Sequence, residues 1–277
     1  MSIADERFIQ NCKDILENGF SDVCYDVRPT WADTGEKAHT IKKFCIVNRY
    51  DLTKEFPIIT LRKTFFKSAV DELLWIWQKK SNNTHDLKSK IWDAWADENG
   101  SIGKAYGYQL GIKHKYKEGE FDQVDRVLYD LKHNPLSRRI MTNIYNHADL
   151  HEMNLYPCAY SMTFNVTGNR LNGILNQRSQ DMLVANNWNV CQYAVLLHMF
   201  AKVSGLVAGE LVHVIADAHI YDRHIPSVKE MLENPEYPAP RLIVNPDVKN
   251  FYDFTVDDFV LENYQATPLG KRLEVAI

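Results

Sequence analysis

The sequence predicts a single α/β domain spanning residues 1–277, on three observations. Helix-period apolar patterns over 67–80 and 187–205 are interleaved with period-two runs over 158–167 and 210–221. No linker, low-complexity tract, block of like charge or fixed-period repeat offers a place to divide the chain. Hydrophobic residues make up 45% of the chain and charged residues 25%, enough apolar material for one sizeable core. At 277 residues the length lies slightly above the usual single-core limit, so two domains are the alternative that the absence of a linker argues against.

The first twenty residues space Phe8, Ile9, Cys12, Ile15 and Leu16 along one face of a helix and carry four acidic residues. That composition fits neither a signal peptide nor a membrane span, and no later apolar run reaches the roughly 18 residues a span needs. A cytoplasmic protein is expected. In KSAVDELLWIWQKK, Val70, Leu73, Leu74 and Trp77 recur at helical spacing, with Ala69, Trp75 and Ile76 widening the apolar surface into a helix buried on most sides. Glu72 sits among these neighbours, where burial disfavours the charged carboxylate and raises its pKa. It is either a helix-surface or capping residue or a working acid. FDQVDRVLYDLKHNP is a second amphipathic helix, ended by Asn134-Pro135. The adjacent Arg138 and Arg139 then precede a short strand, IMTNIYN. Two neighbouring guanidiniums repel unless an anion or carboxylates lie between them; solvated surface arginines are the plain alternative.

From LYPC the parity changes. Cys158, Tyr160, Met162, Phe164 and Val166 are expected on one face of a strand, with Ala159, Ser161, Thr163, Asn165 and Thr167 on the other. Thr167-Gly168-Asn169 turns the chain, and RLNGILNQRS returns as the second arm of a hairpin. NWNVCQYAVLLHMFAKVSG is apolar nearly all round, a central helix with Gly205 at its C-terminal cap and Asn189 near its start. In ELVHVIADAHIY, Val212, Val214, Ala216, Ala218 and Ile220 share one face, and His213, Asp217, His219 and Tyr221 the other. Four polar groups on one strand face suit a pocket wall. Their spacing of about 7 Å per step is compatible with metal ligation, but hydrogen bonding to a ligand or to one another is the stronger expectation.

The five cysteines form no CxxC pair and are odd in number, so free thiols in a reducing compartment are expected. A net charge of −4 and a pI near 6.2 argue against a DNA or general nucleic-acid binder. There is no glycine-rich phosphate loop of a common type and no nucleophile-elbow motif. What remains is Cys158, flanked by segments carrying Arg138, Arg139 and Arg178. Guanidiniums near a thiol would lower its pKa, and the same groups would bind a phosphate. Core filling is the alternative for any free cysteine, and it is clearest for Cys191 within the central helix.

Several ordered motifs carry a family resemblance: SRR, the thiol in LYPC, NQRSQD, NWN, DAHIY, IWDAWADENGSIGKAYG, DELLW and the terminal VAI. The sequence resembles the folate-dependent thymidylate synthase family over nearly its whole length. The resemblance implies a large mixed, mostly antiparallel sheet packed by helices, one sheet face forming a homodimer interface, and reductive methylation of dUMP to dTMP. The co-substrate would be 5,10-methylenetetrahydrofolate, with no metal. Cys158 resembles the nucleophile that adds to uracil C6. Arg28, Arg178 and Ser179 resemble phosphate ligands, and Arg138 and Arg139 a pair reaching into the partner's site. Asn189 resembles the residue reading the uracil edge, where relatives acting on dCMP carry aspartate. His219 and Tyr221 resemble ligands of the deoxyribose 3′-hydroxyl. Glu72 and Tyr106 resemble members of a proton-transfer network. Trp92, Trp95 and Asp181 resemble folate contacts, Asp181 also standing with the dUMP site, and Val275, Ala276 and Ile277 resemble a closing tail. The chain departs from its relatives at Ala159, Ala185 and Asn187, in the RPTW setting of Arg28, and in lacking paired glycines before Asp217. A hydroxymethylase on the same fold is the nearest rival reading, and a non-catalytic nucleotide-binding module a more distant one.

Overall fold

The computed structural model describes residues 2–270 and 273–277. Helix α1 (Ile3–Asn18) begins where the Ser2 hydroxyl accepts from the Asp5 amide at 3.1 Å, and it buries Phe8, Cys12 and Ile15. Strands β1 (Phe20–Ser21) and β2 (Thr40–Asp51) follow, then α2 (Phe66–Trp77), which buries nine of its twelve residues, Glu72 among them. A one-turn helix α3 (Gly107–Gly111) and a hairpin of β3 (His114–Tyr116) and β4 (Gly119–Phe121) lead to α4 (Gln123–His133). The Asp122 carboxylate caps α4 by accepting from the Asp125 amide at 2.9 Å, and Asn134 ends it.

The second half supplies β5 (Met141–Asn143), β6 (Ala159–Thr167), β7 (Arg170–Gln177), β8 (Gln180–Asp181), α5 (Asn186–Val203) and β9 (Val207–Tyr221). It closes with α6 (Ile225–Leu232) and a separate ribbon of β10 (Arg241–Val244) and β11 (Phe259–Glu262). Gly205, at φ +69°, ends α5 in a left-handed turn that lets the Leu206 amide reach back to the Ala201 carbonyl at 2.8 Å.

The main sheet runs in the order β1-β2-β9-β7-β6-β5, with β8 also beside β9. Its pairs are antiparallel except β7–β9 and β8–β9. Those two are parallel because the chain between them crosses over through α5, as a parallel connection requires. The mixed, mostly antiparallel sheet expected from the resemblance is therefore present, and most of the buried apolar side chains form one continuous cluster.

Among the described residues, helices cover one face of this sheet and leave the other open. Tyr50, Leu211, Ile215, Leu175 and Met162 point into the core beneath α1 and α5, and α2 packs outside α5. The opposite face, in register across five strands, presents Val47 (50% exposed), Val212, Val214, Ile174 (40%), Thr163 and Met141 (52%).

The parity expected along β6 fails at its head. Ala159 pairs with Gln177 and Ser161 with the adjacent Asn176, a bulge at Tyr160 that inserts one residue. Ala159 thereby joins the face of Met162 and Phe164 and is buried, while Cys158 is turned away from that face instead of sharing it. No helix among the described residues is long and apolar enough to cross a membrane.

Candidate active site

The bulge brings the residue after Pro157 out of the core packing, leaving Cys158 half-buried at the end of the sheet. Its carbonyl accepts from the Arg178 amide at 3.0 Å. The Arg178 side chain folds over the same loop: Nε donates to Pro157 O at 3.0 Å, and Nη2 lies 2.7 Å from Tyr156 O and 3.7 Å from Cys158 Sγ. The Tyr106 hydroxyl accepts from the Cys158 amide at 3.1 Å. Burial pushes the thiol above its ordinary pKa, and Arg178, Tyr106 and Arg28 oppose it. The guanidinium effect expected from the sequence is thus present in sign, but desolvation outweighs it and the resting group is the thiol.

A chain of hydrogen-bonded side chains runs from β9 through β7 to α5. His213 is fully buried, and desolvation drives its pKa down to about 3, so the ring is neutral. Its Nε2–H donates to Gln177 Oε1 at 2.8 Å, since that oxygen can only accept. Gln177 Nε2 then donates to Asn189 Oδ1 at 3.1 Å, and Asn189 Nδ2 to Gln192 Oε1 at 3.1 Å. Each Asn189 amide atom has one further bond to offer, one N–H and one lone pair, from a side chain whose rotation is fixed on both sides.

On α2, Glu72 is buried and accepts from Trp188 Nε1 at 2.8 Å. Desolvation lifts its pKa to about 7 against the opposing hydrogen bonds of Gln192, Trp188 and Trp92, which meets the expectation for this carboxyl. Tyr106 stands beside it with φ +46°, a conformation rarely adopted outside glycine. Its ring meets Trp92 at 4.9 Å, and Trp92 meets Trp95 at 5.8 Å, so these three aromatics form one wall.

At the end of β9, His219 Nδ1 donates to Asp217 Oδ1 at 2.9 Å. Burial disfavours the Asp217 carboxylate, but His219 and Lys42 hold it below the usual range. Tyr221 packs edge-on against His219 and Trp31. Asp181, following Ser179, accepts from the Leu183 and Val184 amides through Oδ1. His213 and His219 are committed to different partners, and among the described residues no group of three or more His, Cys, Asp or Glu could hold a metal.

A family model described as thymidylate synthase matches residues 6–277. The chain belongs to the thymidylate synthase family. Thymidylate synthases of Bacillus subtilis subsp. natto and of Bacillus phage phi3T are each 45% identical over 96% of both chains, and that of Bacillus mojavensis is 44% identical over 100% of both. The fold matches a solved structure, thermostable thymidylate synthase A from Bacillus subtilis, with a TM-score of 0.93 at 44% identity over 99% of each chain.

Against this thymidylate synthase frame, the sequence-predicted residues fall into two sets. Tyr106 and Arg178 lie in direct contact with Cys158, and Arg28 and Tyr221 fall within electrostatic reach of it. Glu72 is bonded to Trp188 and acts electrostatically on Tyr106, and Asn189 is bonded to Gln177, the chain neighbour of Arg178. Arg28 is exposed, and the loop it begins pairs with the tail: Thr30 exchanges two 2.9 Å bonds with Ile277, and Trp31 bridges Ala276. Arg138 and Arg139 stand apart, both exposed in the turn after α4, lining a cleft of about 610 Å³ with Tyr116, Arg126 and Met141. Gln177, Gln192, Trp188 and Arg62 were not singled out from the sequence. Gln192 lies three residues after Asn189 on α5, so helical spacing could have flagged it. Nothing local marks Arg62, whose Nη2 donates to Leu183 O at 2.6 Å while Nε and Nη1 are buried with no partner among the described residues.

Proposed function

We propose that this member of the thymidylate synthase family converts dUMP to dTMP by reductive methylation, with Cys158 adding to C6 of the uracil. The observation that carries the reading is the half-buried Cys158 Sγ 3.7 Å from the Arg178 guanidinium, with Gln177, the chain neighbour of Arg178, holding the Asn189 amide. Thiolate is the attacking species, and Arg178 and Arg28 favour it while burial opposes it. Addition at C6 makes C5 a carbon nucleophile. Asn189, with one N–H and one lone pair free, matches the O4 acceptor and N3–H donor of uracil and mismatches cytosine. Arg28, Arg178 and Ser179 would hold the phosphate, and His219 and Tyr221 the sugar hydroxyl. Glu72, with a pKa of about 7, can exchange protons at neutral pH through Tyr106 and ordered water.

The co-substrate of the family is methylenetetrahydrofolate, which supplies the one-carbon unit and the hydride. The residues present fit it. The Trp92–Trp95 wall offers apolar ring faces, Asp181 Oδ2 an acceptor for pteridine N–H groups, and Arg62 donors without a partner among the described residues for an anionic tail. Tail residues Val275–Ile277, of which Ala276 and Ile277 already pair with Trp31 and Thr30, would exclude water. A second copy would cover the exposed face of the sheet, an apolar surface in register across five strands. Arg138 and Arg139, held away from the Cys158 of their own chain, would then serve the partner's site.

Tritium release from [5-³H]dUMP with methylenetetrahydrofolate tests the whole reading. The intact protein is expected to release tritium and yield a product of dTMP mass, with essentially none released by Cys158→Ser. Equal release from both proteins would sink the assignment, and a hydroxymethyl product mass would replace it.

A further inference from the structure

We propose that Arg223 is a positioning residue that latches the C-terminal tail onto the loop carrying Arg28. The inference rests on the reading of the tail as a lid and adds the group that holds it. Arg223 lies in the turn between β9 and α6. Its Nη1 donates to both oxygens of Asp33, at 2.9 and 3.1 Å, and to Glu274 Oε2 at 3.1 Å. Its Nη2 donates to Thr34 Oγ1 and Glu36 Oε2, both at 2.9 Å. The guanidinium carbon also sits 4.8 Å over the Trp31 ring. One cation therefore faces three carboxylates, two from the loop and one from the tail, on an aromatic platform that itself bridges Ala276. The next residue completes the grip, since His224 Nε2 donates to the Glu274 carbonyl at 2.9 Å.

Each of these ion pairs is partly solvated and individually weak. Their arrangement supplies the effect. Without Arg223, Asp33, Glu36 and Glu274 would repel one another across the seam between loop and tail. With it, the same three charges draw the seam shut, and the fork geometry of arginine fixes the register in which Ile277 meets Thr30. Arg223 needs no contact with either substrate to do this. It sets how often the tail is down.

The test uses the 277-residue chain carrying Arg223→Gln, Arg223→Lys, Glu274→Gln and the Arg223→Gln/Glu274→Gln pair. Two readouts are taken: the rate at which carboxypeptidase releases Ile277 from the ligand-free protein, and the KM values for dUMP and methylenetetrahydrofolate with kcat. Arg223→Gln is expected to speed Ile277 release and raise the folate KM by roughly five- to tenfold, with less than about twofold change in the dUMP KM. Glu274→Gln, which lies on the tail and cannot unfold the core, should reproduce both effects. The double variant should be no worse than Arg223→Gln, and Arg223→Lys should recover part of the loss. Ile277 release and folate KM within twofold of the parent in both single variants would overturn the latch. Deletion of residues 274–277 with no kinetic consequence would instead remove the lid reading, and the latch with it.

Discussion

Cys158 at the sheet end and Cys191 inside α5 are both thiols raised by desolvation, and they differ in what opposes it. Around Cys191 nothing does: it is fully buried within α5, and among the described residues its one hydrogen-bond contact is to the Pro57 carbonyl at 3.9 Å. Around Cys158 a guanidinium, a tyrosine hydroxyl and a second arginine act against burial. Both sulfurs are sheltered from solvent to some degree, so burial alone does not separate an inert thiol from a working one. What separates them is whether the surroundings contain charge that a thiolate can use, and whether a bulge opens a path to it.

The comparison can be broken at either end. Cys158→Ser should reduce turnover by about four orders of magnitude or more, while Cys191→Ala should leave turnover within twofold and cost about 1 kcal/mol of stability. Steady-state rates and urea unfolding check the two arms, and a large activity loss from Cys191→Ala would erase the distinction. Next in size, Glu72→Gln should lower kcat by roughly 10²-fold or more, because it removes a proton carrier poised near pH 7. That carboxyl also has a sign in stability. Its folded pKa of about 7 lies above the ordinary carboxyl value, so the native state holds the proton more tightly. The associated stabilisation is full below about pH 4.5 and is lost as pH rises through 7, a change of about 3 kcal/mol that Glu72→Gln should flatten in unfolding curves.

The smallest effect sharpens the comparison most directly. Iodoacetamide labelling followed by peptide mass analysis should show Cys158 reacting with a midpoint above its ordinary thiol value, and Cys191 protected until the protein unfolds. Arg178→Gln should move the Cys158 midpoint up by about one unit, a tenfold loss of thiolate at pH 8. An unchanged midpoint would mean that the 3.7 Å contact carries no electrostatic weight.

Elements that repeat were legible in the sequence. The apolar spacing of α1, α2, α4 and α5, the hairpin of β6 and β7 about Gly168, and the Gly205 cap all lie where periodicity placed them. The raised carboxyl of Glu72 was legible too, because most of its neighbours on α2 are apolar. The bulge at Tyr160 was not, since an inserted residue leaves the local alternation intact and shows itself only against the partner strand. Nor could parity reveal that His213 would lock Gln177 and, through it, Asn189, as the three belong to β9, β7 and α5. The Arg223 latch is further out of reach, joining residues 33, 36, 223 and 274.

By itself, then, the sequence determined which segments are helix or strand, which faces are apolar and which side chains are chemically competent, because those properties depend on neighbours a few residues apart. Tertiary structure alone decided whether the Cys158 sulfur is ionised, which way the Asn189 amide points and what holds the tail. Desolvation, Coulomb attraction and hydrogen-bond direction depend on distances in space between groups far apart along the chain, and these exist only once the sheet has closed over α5 and the tail has met the Thr30–Glu36 loop.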